Sequence, residues 1–201
     1  TFGVRHLAPA IAAFAARHPQ MRFDVELSER MVDLVEEGFD LAVRVGETGS
    51  QNLVGRRIGT TRLVCCAAPS YLERHGEPLV PEDLAAHVCL TYEYLPNKNV
   101  WLFRDPGGTE RPGRIAGPLN ANNGRFLEAI AAEGVGISRE PDFIVGPDVR
   151  AGRLKPILRA FEPPPLDIYV VYPSRRHLSA KVRAFADFLV EHFATAKWGI
   201  A

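Results

Sequence analysis

The residue with the most to explain is an arginine in an apolar run. Arg44 interrupts LAVRV, and a bare guanidinium inside a buried strand carries a heavy desolvation cost. Two arrangements relieve that cost. Arg44 either stands at the strand's carboxyl end, where its planar fork takes a ligand carboxylate bidentately, or pairs with a carboxylate such as Asp40 or Glu47. Gly46 follows two residues later and joins Arg44 as a candidate ligand-binding residue. Three further places read as helix N-termini: Thr1–Phe2–Gly3, Ser28, and Asn122–Asn123–Gly124. A helix N-terminus offers unpaired N–H groups and about half a unit of positive charge, which favours an anion. Gly3 allows close backbone approach, and the Thr1 hydroxyl can donate a hydrogen bond. Ser28, Asn122 and Asn123 are equally the types that simply cap helices, and a cap can also line a site.

Groups for catalysis or metal binding do not assemble in the same way. Cys65 and Cys66 are adjacent and Cys89 stands alone, so no disulfide framework and no C-x-x-C spacing exists. They read as small buried hydrophobes. His6, His18, His75, His87, His177 and His192 form no HExxH pattern or His/Cys cluster. No metal and no cofactor is expected. Asp40 and Glu47 lie near Arg44, but no base–nucleophile pair, nucleophile elbow or glycine-rich phosphate loop accompanies them. The expectation is a binding module, not an enzyme.

The bulk properties agree. The chain has 201 residues, 24 basic against 24 acidic, and 46% hydrophobic residues. That is an ordinary globular composition, long enough to bury a core without staples. Zero net charge speaks against a free-standing nucleic-acid binder. No apolar run is long enough for a membrane span, and the start has no secretory pattern, so a cytoplasmic location is expected.

The candidates are positioned by alternating helices and strands. Leu7, Ile11 and Phe14 mark a helix over 7–17. RFDVEL (22–27) alternates as a strand. Ser28 then caps a helix over 29–37 with Met31, Leu34 and Val35 inward, and Gly38 closes it. FDLAVRV (39–45) has the continuous apolar character of a buried parallel strand. Strands follow at 61–67, 88–94, 100–104 and 114–119, with short helices at 69–75 and 81–86 and a turn at 105–113. Asn122 or Asn123 caps a helix over 124–133. Then come a strand at 135–138, a helix within 141–151 and a strand at 153–159. Past Pro163–Pro165, the strand 167–172 and a helix over about 179–194 complete the chain. Trp101 and Phe103 alternate with Leu102, so one face of that strand is core. Arg175, Arg176 and His177, with Lys181 and Arg183, make a basic patch that reads as hydrated surface.

Strand–helix alternation implies βαβ crossovers over parallel sheet. The order suggests two α/β lobes, residues 1–67 plus 165–201 and residues 68–164, with hinge strands near 66–69 and 163–168. Ligands of open α/β sheets bind beyond the carboxyl ends of the strands. Two such lobes would face each other across a cleft, with the three helix N-termini converging on it.

The segments VDLVEEGFDLAVRVG (32–46), APSYLERHG (68–76), PEDLAAHVCL (81–90), NNGRFLEAIAAEGVGI (122–137), AGRLKPIL (151–158) and YPSRRHLSAKVRAFADFL (172–189) resemble, in order, the C-terminal effector-binding region of LysR-type transcriptional regulators. No single motif is diagnostic, but the succession covers essentially the whole chain. The resemblance implies a two-lobed, type II periplasmic-binding-protein-like fold. It also implies a small effector in the interlobe cleft and a homodimer or homotetramer. DNA would be contacted only through an N-terminal winged helix-turn-helix that this chain does not contain. The family's effector contacts match Thr1 and Ser28. The helix over 7–17 and the one over about 124–133 would meet across an antiparallel dimer. The family's first strand would precede Thr1, and without it the first lobe's sheet lacks a strand unless something else occupies that place. Converging N-termini and Arg44 favour a small organic carboxylate as effector. A periplasmic solute receptor and a hydrolase or lyase on the same scaffold are the alternatives.

Overall fold

A computed structural model of the chain describes residues 1–46, 48, 52–95, 97–163, 165–174 and 179–195. Glu47 and the Arg175–His177 part of the basic patch lie outside the described residues. The chain divides into two compact units. One is Thr1–Thr60 together with the described chain from Leu166 onward, and the other is Thr61–Pro165.

The first unit opens with a π-helical turn, Gly3–Leu7, that runs into α1, Ala8–Arg17. His18 ends α1 out of helical conformation, one residue ahead of Pro19, which disfavours a helical predecessor. Phe14 is fully buried. Its ring lies 5.0 Å from that of Phe185 and 5.1 Å from that of Phe188. Both belong to α5, Ala180–Phe193, which buries Val182, Phe188, Leu189 and Phe193 and leaves Phe185 half-buried. The sheet has three strands in the order β1 (Ala42–Val45), β10 (Leu166–Pro173), β2 (Leu53–Thr61). Ile168, Val170 and Val171 of β10 are completely buried at its centre.

Three expectations for this unit need correction. β1 runs antiparallel to β10, with Ala42 opposite Val171 and Val45 opposite Ile168, not parallel. β10 returns from the second unit, so its direction is set by a long excursion and not by a βαβ crossover. Residues 22–27 form no strand, because no neighbouring strand among the described residues supplies a ladder. Residues 29–37 form turns instead of a helix. Asp33 Oδ1 accepts the N–H groups of Val35 (2.9 Å) and Glu36 (3.1 Å), and Glu37 takes the N–H of Asp33 (3.1 Å). Local side-chain bonds thereby replace the helical ladder. Of the three residues expected inward, only Leu34 is buried; Met31 and Val35 are more than half exposed. β2 is a strand the sequence reading missed. Its residues LVGRRIGTT carry two glycines and two arginines and show no clean alternation.

In the second unit, β3 (Leu63–Ala67) lies between β8 (Ser138–Pro141) and β9 (Lys155–Pro156), antiparallel to both. The stretch from Val88 to β4 (Thr91–Tyr92) has parallel neighbours, as the pattern implied. Val88 pairs with Ala116, Cys89 with Ile137, and β4 with β7 (Asn120–Ala121). β5 (Val100–Arg104) and β6 (Glu110–Arg114) form a hairpin, so the turn is shorter than 105–113. Asp105 Oδ1 closes it by accepting from Gly107 and Thr109 N–H, both at 2.9 Å. Trp101 and Phe103 point into the core while Leu102 is exposed. The core gathers Tyr71, Leu84, Cys89, Trp101, Phe103, Ile115 and Ile137. Around it stand α2 (Pro69–His75), the 3-10 helix Pro81–Ala86, α3 (Gly124–Ala132) and α4 (Asp142–Arg150). No helix among the described residues is long and apolar enough to cross a membrane.

Candidate functional site

In the first unit, three candidate segments are held together by two contacts. Gly3, at the start of the π-helical turn, packs against Leu27. A Cβ there would stand 2.6 Å from Leu27 Cδ2, so the glycine lets the Leu27 side chain lie close on the helix start. Arg44 supplies the second contact. Its Nη2 donates to the Val32 carbonyl and its Nη1 to the Thr48 carbonyl, each at 2.6 Å. The start of the helix, the chain from Leu27 to Val32 and the end of β1 are therefore fixed to one another. Arg44 is only 9% exposed. Burial draws its pKa down from the ordinary arginine value, and the charge of Asp33 opposes that. Its guanidinium donates to backbone carbonyls and not to Asp40, an arrangement that neither sequence alternative foresaw.

The remaining candidates of this unit divide by environment. Thr1 is half-buried, and its carbonyl accepts the Arg5 N–H at 3.2 Å. Phe2 is buried, its ring 5.0 Å from that of His6 and 6.0 Å from that of Phe193, so it serves the core. Ser28 is exposed and caps no helix; its Oγ accepts the Arg30 N–H at 3.3 Å in a local turn. Gly46 has φ +90°, which glycine adopts without strain, and its N–H donates to the Asp167 carbonyl at 2.8 Å.

In the second unit, Asn123 is the N-cap of α3. Its side chain accepts the Phe126 N–H at 3.0 Å, as the sequence suggested. Asn122 is exposed beside it. Gly124 is buried, and its glycine has a specific cause: a Cβ would collide with Glu140 Oε2 and lie 2.9 Å from Ile144 Cδ1. Glu140 is 4% exposed and was missed in the sequence. β8 reads Ser-Arg-Glu-Pro, a pattern with no apolar alternation to mark Glu140 as buried. Its carboxylate sits at the first turn of α3, where the helix dipole favours a negative charge.

The three cysteines are buried. Burial pushes the Cys66 and Cys89 thiols up to about 12, and that of Cys65 upward as well. Such thiols are poor nucleophiles at neutral pH. Among the described residues, no group of three or more His, Cys, Asp and Glu could hold a metal ion. An open depression lined by Asn97, Asn99, Arg114 and Ile115 contains none of the candidate residues.

Comparison with known proteins agrees with this architecture. The model of the LysR substrate binding domain matches residues 1–194. An uncharacterized HTH-type transcriptional regulator of Haemophilus influenzae is 39% identical over 181 residues, covering 90% of this chain and 62% of that protein. The HTH-type transcriptional regulator DmlR of Escherichia coli is 36% identical over 196 residues, covering 96% and 62%. Among solved structures, the CrgA regulatory domain of Neisseria meningitidis, a LysR-type transcriptional regulator, is 33% identical with a TM-score of 0.81, covering 96% of this chain and 94% of that one. The full-length Vibrio cholerae virulence activator AphB is 27% identical with a TM-score of 0.82, covering 96% and 65%. The fold is thus the type II periplasmic-binding-protein-like α/β class, which has two lobes. The chain belongs to the LysR substrate-binding-domain family and spans about 62% of the length of the regulators named above.

Proposed function

We propose that this chain is the sensing part of a LysR-type transcriptional regulator, binding a small organic anion without transforming it. The observation that carries the reading lies in the first unit. The Gly3–Leu27 contact and the Arg44 clamp fix the helix start, the Ser28 segment and the end of β1 to one another. Thr1 and Ser28 carry the hydroxyls of this part of the unit and are the residues assigned here to the effector, together with the N-terminal end of the first helix. Arg44 positions this segment, and Gly46 gives the strand end its turn. Asn122, Asn123 and Gly124 are the candidate contacts of the second unit. An effector can shift the conformation only by its differential affinity for the two states.

The same proposal includes self-association and action on DNA through an N-terminal region outside this chain, in the cytoplasm. Phe126 and Val135 are half-exposed at α3, and Val4 is exposed at the start of the first helix. Such apolar surface suits a contact with a second copy. Solute receptors and enzymes on this scaffold are the competing readings, and the transcriptional regulators among its relatives favour sensing.

A thermal-shift screen against small carboxylic acids tests the proposal. A hit that stabilises the parent and fails to stabilise Ser28→Ala and Thr1→Ala, at unchanged unliganded melting temperature, supports it. Equal stabilisation of both variants removes these residues from the site.

A further inference from the structure

The chain passes between the two units at Thr60–Thr61 and again at Pro165–Leu166. On the Thr61–Pro165 side, the first crossing is tied to the first turn of α4, and the second is tied to Arg62 of the first. Thr61 is 1% exposed, and its Oγ1 donates to Asp142 Oδ1 at 2.7 Å. Arg62 occupies the one-residue break between β2 and β3. Its carbonyl accepts the Asp142 N–H at 2.8 Å, and its Nε stands 3.8 Å from Asp142 Oδ2. From the second crossing, Glu162 Oε2 lies 3.7 Å from Arg62 Nη1. Asp142 itself is 4% exposed.

The backbone bond between Asp142 and Arg62 continues the register of β3 and β8, which places Leu63 opposite Pro141. That ladder does not account for the side-chain contacts of Asp142 with Thr61 and Arg62. Nor does helix capping account for them, since α4 has no side-chain cap and Asp142 would complement its dipole equally well from the surface. A carboxylate is buried only at a cost that specific partners must offset. Here the buried partner is the hydroxyl of the residue at which the chain enters the unit. The Arg62–Glu162 pair is more exposed and adds less restraint.

We infer that Asp142, Thr61 and Arg62 form a brace that makes both crossings move with α4 as one body. Bending between the units is then confined to the chain on the far sides of Thr61 and Glu162. Asp142 acts as a positioning residue. Its use in signalling rests on the sensing role proposed above, while the brace itself is measurable without any effector.

Pulsed dipolar spectroscopy reads it directly. Spin labels are placed at Glu73→Cys on α2 and Arg183→Cys on α5, both exposed, while the three native cysteines are buried. Distance distributions are compared for the parent, Thr61→Val, Arg62→Gln and Asp142→Ala, beside their melting temperatures. The brace predicts a broader distribution for Thr61→Val and Asp142→Ala and a smaller broadening for Arg62→Gln. Thr61→Val keeps side-chain shape, so it decides the matter should Asp142→Ala not fold. A Thr61→Val distribution as narrow as the parent's, with or without a lowered melting temperature, overturns the brace.

Discussion

Replacing Arg44 by methionine keeps most of the apolar stem and removes two charged donors. The structure gives the terms from which the cost follows. Two hydrogen bonds at 2.6 Å, to the Val32 and Thr48 carbonyls, disappear. Bonds from a charged donor contribute about 1.5–3 kcal/mol each. Against that loss stands the relief of no longer burying a guanidinium, whose depressed pKa marks the strain. The two carbonyls are partly exposed and regain some water. A net destabilisation of about 2 kcal/mol follows. For a chain of 201 residues that is a fall of roughly 4–8 °C in melting temperature. Differential scanning calorimetry and urea denaturation both read it. Arg44→Lys should recover less than half, because an ammonium lacks the planar fork that spans two carbonyls. If Arg44→Met melts within about a degree of the parent, the clamp is energetically idle and Arg44 is held for a ligand instead.

Gly124→Ala drives a Cβ toward Glu140 and Ile144; overpacking of this kind costs about 1–3 kcal/mol. In a double-mutant cycle with Glu140→Ala, the second change should relieve part of that cost, and strictly additive losses would show that the crowding lies elsewhere. Acid should weaken the second unit through His87. Its Nδ1 meets the Tyr71 hydroxyl at 3.2 Å, and burial, then the charge of His75, hold its pKa below the ordinary 6.5. The unfolded chain therefore takes up the proton first. Stability from this group is complete above about 6.5 and is lost as pH falls from there toward the folded pKa. Burial lowers His6 in the first unit likewise. His87→Gln should flatten, without abolishing, the fall of melting temperature between about pH 7 and 5; a slope equal to the parent's excludes the His87 contribution. Phe126→Glu should lower the apparent mass in analytical ultracentrifugation if the exposed face of α3 joins two copies, and an unchanged mass would move the interface elsewhere.

The sequence disclosed elements whose signals are local. The helix marked by Leu7, Ile11 and Phe14, the Asn123 cap and the Trp101–Phe103 alternation all depend on a few neighbouring residues. What it concealed depends on distant chain. RFDVEL alternates as a strand should, yet a strand needs a partner to pair with, and none lies beside it among the described residues. The antiparallel return of β10 is decided by more than a hundred intervening residues. The candidate site was legible in its residue types and not in its bonds. Arg44 was conspicuous, but carbonyl partners leave no mark on a sequence. Gly3 suggested room for a ligand, whereas the Leu27 side chain lies there; at Gly124 it is Glu140 and Ile144 that leave no space for a Cβ. Asp142 drew no notice, since an acid in the first turn of a helix is commonplace.

Native mass spectrometry of the chain, incubated with a mixture of small carboxylic acids and uncharged compounds of similar size and followed over time, tests the sensing role most directly. The prediction is one acid retained per chain at its original mass, unchanged on release. It should add stability of about 2.7 kcal/mol at a hundredfold excess over Kd. Appearance of a product mass, or retention of uncharged compounds to the exclusion of every acid, would contradict it.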